Sequence, residues 1–238
     1  INTAAYHGKK AYLDVEPELH FKTNSFGPYF LAEYCKKKKI TLVHFSTDYV
    51  FNGNKSVANY YFNENDLAIP SNLYGASKLA GENLIKSVNG DYIIIRVASL
   101  FGHAGCKAKN HDNFIEMIIR KYNNDEDLEI VDDIWMTPTS TELAVNTVTK
   151  IIKKKHKGVF HVNSKDNCNW YMFAEQIFDV MKYDKHKLNS VSSANKNQII
   201  DRGFNTSLSS QKLINLNIKM PTWKYLTKKY LKDRENNI

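Results

Sequence analysis

The sequence of 238 residues lacks the features that mark membrane, secreted and disulfide-rich proteins. No apolar run approaches the roughly 18 residues that a membrane-spanning helix needs, and no stretch resembles a basic-then-apolar leader. The three cysteines (Cys35, Cys106 and Cys168) have no paired spacing that would form a disulfide framework. Because isolated thiols are typical of a reducing compartment, we expect a cytoplasmic protein that does not engage a membrane.

The sequence also contains no nucleic-acid-binding motif. Lysine and arginine outnumber aspartate and glutamate by 33 to 25, which gives a formal net charge of +8. Such a charge attracts anionic partners. The basic residues, however, stand mostly in short lysine runs, as at 36–39 and 153–155, which are typical of solvated faces. No basic stripe is interleaved with aromatic residues, so we expect no nucleic-acid partner.

Apolar patterns predict strands that alternate with helices. The strands are short, continuous apolar runs rich in β-branched residues, which is typical of a parallel sheet buried on both faces; they fall at 40–45, 92–97 and 158–162. Helical spacing falls at 18–37, 73–86, 113–122, 140–154 and 170–181. This alternation predicts an α/β fold, a Rossmann-like doubly wound parallel sheet with a smaller appended lobe. Residues 1–5 resemble the last residues of a strand, so we expect the first strands of the sheet to be missing.

One set of polar residues follows the predicted strands at the edge where α/β proteins place their reactive groups. Ser46 and Thr47 directly follow the first complete strand, and Tyr74 and Lys78 open the next helix. Positions i and i+4 share a helix face, and an ammonium beside a phenol favours its ionised form. A Tyr-x-x-x-Lys pattern alone more often reflects a half-buried tyrosine and an exposed lysine. Its position after Ser-Thr favours proton donation to an oxygen of a carbonyl under reduction.

With these residues in view, the chain resembles the extended short-chain dehydrogenase/reductases, and within them the dTDP-4-dehydrorhamnose reductase family. The most specific motifs are Ser-Thr-Asp-Tyr-Val-Phe at 46–51, and Asn-Leu-Tyr-Gly at 72–75 with Lys-Leu-Ala-Gly-Glu at 78–82. Asn-Thr-Ala-Ala at 2–5 and Arg-Gly-Phe-Asn-Thr-Ser-Leu at 202–208 also resemble family segments. The family's Gly-rich phosphate-binding loop is absent from this chain, so the chain as given should bind cofactor weakly.

The resemblance implies residue roles. The implied catalytic residues are Thr47, Tyr74 and Lys78. The implied cofactor ligands are Ala4, Ala5, Tyr6, Ser46, Tyr74 and Lys78. The implied substrate ligands are Thr47, Asp48, Leu100, Asn113 and Arg202. The implied cofactor is NADPH or NADH, and Mg²⁺ is implied by the resemblance alone. The implied substrate is a nucleotide-linked 4-keto-6-deoxy sugar.

The same resemblance predicts the organisation of the chain. A partial dinucleotide-binding domain would comprise 1–100 and 145–163, and a substrate-binding lobe would comprise 101–144 and 164–238. A homodimer is the assembly that we consider, although the sequence gives no oligomeric state.

Position 49 separates two reactions within the superfamily. The related dehydratases carry a glutamate here, which removes a proton from C5 of the sugar, whereas this chain carries Tyr49. A tyrosine without a partner of its own is a poor base, so reduction is favoured over elimination. The alternative class is a non-catalytic binding or regulatory subunit on the same fold.

Two further positions keep two interpretations, and one candidate metal set is rejected. Asn113 either contacts the sugar nucleotide or only caps a helix. Arg202 either holds a substrate phosphate through its planar fork or forms a surface ion pair. His103, Cys106 and His111 suggest zinc, but the spacing is not a standard one and a fourth ligand is lacking, so we predict no metal site there.

Overall fold

The computed structural model describes residues 1–7, 16–53, 58–104, 112–195 and 203–235. Its helices are α1 (Pro17–Phe21), α2 (Gly27–Lys37), α3 (Leu73–Ser87), α4 (Phe114–Asn123), α5 (Thr141–Lys153), α6 (Trp170–Met181), α7 (Gln211–Asn215) and α8 (Trp223–Glu235). Its strands are β1 (Leu42–Thr47), β2 (Tyr92–Val97), β3 (Leu100–Phe101), β4 (Leu128–Val131), β5 (Trp135–Met136), β6 (Thr139–Ser140), β7 (Gly158–His161), β8 (Cys168–Asn169) and β9 (Leu188–Val191).

A parallel sheet carries the fold. Its strand order is β1-β2-β7, and Asn2 adds a parallel bridge to His44 on the outer side of β1. The predicted α/β class with a parallel sheet is therefore confirmed. Since the strands are parallel, the residues that end β1 and the residues after Asn2 lie at the same edge of the sheet.

Both faces of this sheet are covered, which explains its continuous apolar strands. Successive side chains of a strand point to opposite faces. Ile93 and Ile95 accordingly pack with α5 residues such as Val148, while Ile94 packs with Ile85 of α3 and Ala32 of α2. The result is a three-layer arrangement that fixes α3 against β1.

A second core lies among α4, α6, α8 and strands β4 and β9, and Phe173 and Phe178 are almost completely buried in it. Strands β4 and β9 form a separate parallel pair. The boundaries that the sequence suggests for a dinucleotide-binding domain and a substrate-binding lobe stay a prediction. None of the helices in the described ranges has the length and apolar character that crossing a membrane requires.

Two local predictions need correction. The strand expected at 40–45 runs from Leu42 to Thr47, because its pairing with Tyr92–Val97 sets its ends. The helix expected over 18–37 is interrupted by a π-helical turn at Lys22–Phe26, which buries Asn24 and Ser25. Such turns inside helices often occur at functional sites.

Candidate active site

The predicted catalytic residues lie on β1 and α3, at the carboxyl edge of the sheet. Thr47 ends β1, and Tyr74 is the second residue of α3. The helix begins where it does because the Asn72 side chain accepts a hydrogen bond from the Gly75 backbone N–H at 2.8 Å. Both Thr47 and Tyr74 are largely buried, with 7% and 6% of their surface exposed.

Aromatic rings surround Tyr74. The ring of His7 stacks on it with centroids 4.6 Å apart, and the ring of Tyr49 meets it edge-on at 6.1 Å. His20 of α1 approaches edge-on at 6.4 Å. The Tyr74 phenol is therefore surrounded by three aromatic rings, one of which is that of Tyr49.

Thr47 is oriented by its neighbours. Its hydroxyl accepts a hydrogen bond from the Tyr49 backbone N–H at 3.2 Å and donates one to Asp48 Oδ1 at 3.0 Å. The other oxygen of Asp48 accepts a hydrogen bond from the Thr206 hydroxyl at 2.7 Å. Asp48 thus ties the end of β1 to the segment around Thr206. Its expected contact with substrate stays a prediction.

Lys78 lies one helical turn after Tyr74 and only 1% of its surface is exposed. Its Nζ donates to the Phe45 carbonyl oxygen at 2.6 Å and lies 3.2 Å from His44 Nε2. Burial lowers the pKa of Lys78 to about 8, an effect that Glu82 partly offsets. An amine whose pKa lies this close to neutrality can change its charge during a reaction.

The loop of Ala4, Ala5 and Tyr6 is held by the π-helical turn. The Asn24 side chain accepts a hydrogen bond from the Tyr6 N–H and donates one to the Tyr6 carbonyl, both at 2.8 Å. Asn24 also donates to the Ser77 hydroxyl on α3 at 2.9 Å. This buried amide joins the loop to the helix of Tyr74. The sequence alone did not indicate this role, because a lone asparagine within a helical pattern gives no signal for it.

The residues at this edge fit a dinucleotide. The Ser46 hydroxyl is buried and has no hydrogen-bond partner within the described part of the chain. A buried hydroxyl without a partner is costly, and an incoming polar group would satisfy it. Ser46, the 4–6 loop and Lys78 together lie where parallel sheets bind nucleotides.

The remaining predicted substrate ligands lie on other elements of the fold or outside the described residues. Leu100, on β3, is 45% exposed. Asn113 caps α4 by accepting a hydrogen bond from the Glu116 N–H, which confirms the cap, while its contact with substrate stays a prediction. Arg202 falls outside the described residues, as do Cys106 and His111 of the rejected zinc set. Within the described ranges no cluster of three or more His, Cys, Asp or Glu residues could hold a metal ion.

We expect an alanine at position 75 to disturb the contact between α3 and the Tyr49 turn. A Cβ on Gly75 would lie 2.0 Å from the Tyr49 carbonyl oxygen. Forced overpacking of this kind costs about 1–3 kcal/mol. Urea unfolding of Gly75→Ala should show this loss, whereas Gly27→Ala, whose nearest neighbour lies 3.6 Å away, should be neutral or slightly stabilising. Equal midpoints for the two variants would contradict the packing.

We also expect acid to destabilise the chain through its buried histidines. Burial, with a smaller effect of Lys78, lowers the pKa of His44 to about 2, and burial lowers the pKa of His161 well below its usual range. The unfolded chain therefore binds more protons below about pH 6.5, so the free energy of unfolding falls as pH falls from there. Each histidine contributes up to about 1.4 kcal/mol per pH unit.

Urea unfolding between about pH 6.5 and 5 tests this, because His44→Gln should reduce the slope of stability against pH in that window. An unchanged slope in His44→Gln would mean that His44 titrates alike in the folded and unfolded chains.

The chain is similar to one family along almost its whole length. Residues 1–236 match the RmlD substrate binding domain. A dTDP-4-dehydrorhamnose reductase of Sinorhizobium fredii is 30% identical over 227 residues, which cover 90% of this chain and 73% of that protein.

Solved structures of two other proteins superpose closely on this chain. A dTDP-4-dehydrorhamnose reductase of Clostridium acetobutylicum superposes with a TM-score of 0.87 at 30% identity, covering 98% of this chain and 80% of that one. The dTDP-4-dehydrorhamnose reductase of Bacillus anthracis, solved in complex with NADP, gives a TM-score of 0.85 at 27% identity, covering 97% and 79%. Fold and sequence thus point to the same group of proteins.

Proposed function

We propose that this chain, which belongs to the RmlD substrate binding domain family, is an NADPH-dependent reductase of a nucleotide-linked 4-keto-6-deoxy sugar of the dTDP-4-dehydrorhamnose type. The observation that supports the proposal is the approach of α3 to the end of β1, where the Tyr74 ring meets that of Tyr49 and Lys78 Nζ donates to the Phe45 carbonyl oxygen. A proton donor, a buried amine and two hydroxyls at this edge are what carbonyl reduction requires.

Each residue has a task in this reaction. The reduced nicotinamide supplies a hydride to C4 of the sugar. Tyr74 donates its phenolic proton to the oxygen of the same carbon. The Thr47 hydroxyl, which donates to Asp48 Oδ1 in the protein without substrate, turns to donate to that oxygen when the sugar is bound. Since a free phenol has a pKa near 10, a positive charge on Lys78 helps Tyr74 to release its proton.

Tyr49 supports reduction over elimination. Its ring lies edge-on to that of Tyr74, with centroids 6.1 Å apart. Where the related dehydratases carry a carboxylate, this chain therefore has the phenol of Tyr49, which lies beside Tyr74. A phenol is a poor base near neutral pH, so proton removal from C5 is disfavoured.

The cofactor would be held by Ser46, Lys78 and the 4–6 loop, and the sugar nucleotide by Thr47, Asp48, Leu100, Asn113 and Arg202. The buried Ser46 hydroxyl without a partner among the described residues supports the first assignment. Bound Mg²⁺, a homodimer and a cytoplasmic location stay predictions from the sequence.

The test is an assay of the protein at its natural length with dTDP-4-dehydrorhamnose and NADPH. We expect oxidation of NADPH that depends on the sugar nucleotide. The same protein is titrated with NADPH by fluorescence without substrate. Binding of NADPH without turnover would favour the regulatory-subunit alternative, and neither binding nor turnover would overturn the proposal.

A further inference from the structure

A buried chain of polar groups leads from the loop of Ala4 to Lys78. Asn2 Nδ2 lies 3.0 Å from His44 Nδ1, and His44 Nε2 lies 3.2 Å from Lys78 Nζ. His44 is fully buried, and Asn2 and Lys78 are 8% and 1% exposed. With so little water nearby, the proton positions along this chain are set by the groups themselves.

The backbone N–H of Ala4 determines which side-chain atom of Asn2 faces His44. Asn2 Oδ1 accepts a hydrogen bond from the Ala4 N–H at 3.1 Å, so the amide NH₂ of Asn2 faces His44. An amide NH₂ only donates, and His44 Nδ1 must therefore accept. Burial, the largest cause, lowers the pKa of His44 well below its usual range, so the imidazole is neutral and carries its one proton on Nε2.

That proton points at Lys78. An ammonium has no lone pair and would place donor against donor, whereas a neutral amine accepts from Nε2–H and still donates to the Phe45 carbonyl. We propose that His44 is a positioning residue for Lys78: Asn2 selects the tautomer whose Nε2–H favours the neutral amine in the protein without cofactor. This inference rests on the proposed function, which gives Lys78 its role.

The other charged groups near Lys78 act in the opposite direction. Glu82, one turn further along α3, favours the ammonium, but its carboxylate is engaged by Arg96 of β2 through contacts of 2.9 and 2.7 Å. Lys86 lies 3.7 Å from Glu82 on its outer side. His44 on β1 is thus the group that presents a proton to Lys78, and the loop of Ala4 controls it through Asn2.

Nitrogen-15 NMR of the histidine rings tests the tautomer directly in the protein without substrate or cofactor. We expect a protonated Nε2 and an accepting Nδ1 for His44. His161 provides the matched control, since Arg96 Nη1 donates to its Nε2 at 3.3 Å and its Nδ1 lies 3.1 Å from the Phe62 carbonyl. It should show the opposite tautomer. A proton on Nδ1 of His44 would overturn the inference.

Two variants extend the test to the lysine. In Asn2→Asp a carboxylate oxygen faces Nδ1, so we expect the proton of His44 to move to Nδ1 and the pKa of Lys78 to rise. In His44→Gln an amide oxygen can face Lys78, so the pKa of Lys78 should also rise. The pKa is read from the Lys78 side-chain NMR signal, which is identified by its loss in Lys78→Met. A merely space-filling His44 predicts an unchanged pKa in His44→Gln, which would contradict the inference.

The two proposals can fail separately. If NADPH oxidation is absent while His44 carries its proton on Nε2, the proposed function fails and the tautomer assignment holds. If the enzyme is active but His44 carries its proton on Nδ1, only the role of His44 fails.

Discussion

Tyr74→Phe is expected to lower turnover by about 10²- to 10⁴-fold, the usual contribution of a positioned general acid. The substitution removes one oxygen and leaves the ring, so the stacking on His7 and the edge contact with Tyr49 should persist. Affinity for NADPH should change little, because the phenol meets the oxygen of the sugar rather than the dinucleotide. Steady-state kinetics and fluorescence titration of the protein at its natural length measure the two effects.

Tyr225→Phe is the matched control for this prediction. Tyr225 lies on α8 and is 60% exposed, and its loss should leave turnover unchanged. If Tyr74→Phe and Tyr225→Phe both keep wild-type turnover, Tyr74 is not the proton donor.

Arg96→Met is expected to cost about 3–5 kcal/mol of unfolding free energy, the usual loss when one partner of a buried ion pair is removed. Arg96 is 3% exposed and donates from Nε and Nη2 to both oxygens of Glu82, which is fully buried. The guanidinium also lies over the ring of Phe51 at 5.2 Å. After the substitution, Glu82 keeps only Lys86, whose side chain is 35% exposed, as an ion-pair partner among the described residues.

Two further variants separate the causes of that loss. Arg96→Met combined with Glu82→Leu removes the unpaired charge, so it should recover much of the lost stability. Lys185→Met breaks an exposed pair with Asp179 and should leave the urea midpoint unchanged. A wild-type midpoint for Arg96→Met alone would mean that the ion pair does not stabilise the sheet.

Local pattern was enough to predict the elements that carry dense apolar runs. Strand β2 and helix α6 have the predicted ends, Tyr92–Val97 and Trp170–Met181, because most of their residues are apolar and a polar residue precedes each of them. Strand β1 lies two residues further along than predicted, since its ends depend on pairing with β2. Pairing is a tertiary property that no window of sequence contains.

The arrangement around the catalytic residues was only partly predictable. The Ser-Thr and Tyr-x-x-x-Lys patterns indicated Thr47, Tyr74 and Lys78, whereas the partner of Lys78 was missed. His44 stands within an apolar run and looked like part of a buried strand, and only the approach of α3 and of Asn2 gives it polar neighbours. Asp48 and Thr206 are 158 positions apart, so their hydrogen bond needed the fold.

Transfer of deuterium tests the central claim most directly. The protein at its natural length is supplied with dTDP-4-dehydrorhamnose and with NADPH that carries deuterium in both positions of nicotinamide C4, and the product is analysed by mass spectrometry and NMR. A 4-ketoreductase predicts one deuterium per product molecule, bound to C4 of the sugar. A product without deuterium, or with deuterium on another carbon, would contradict the account.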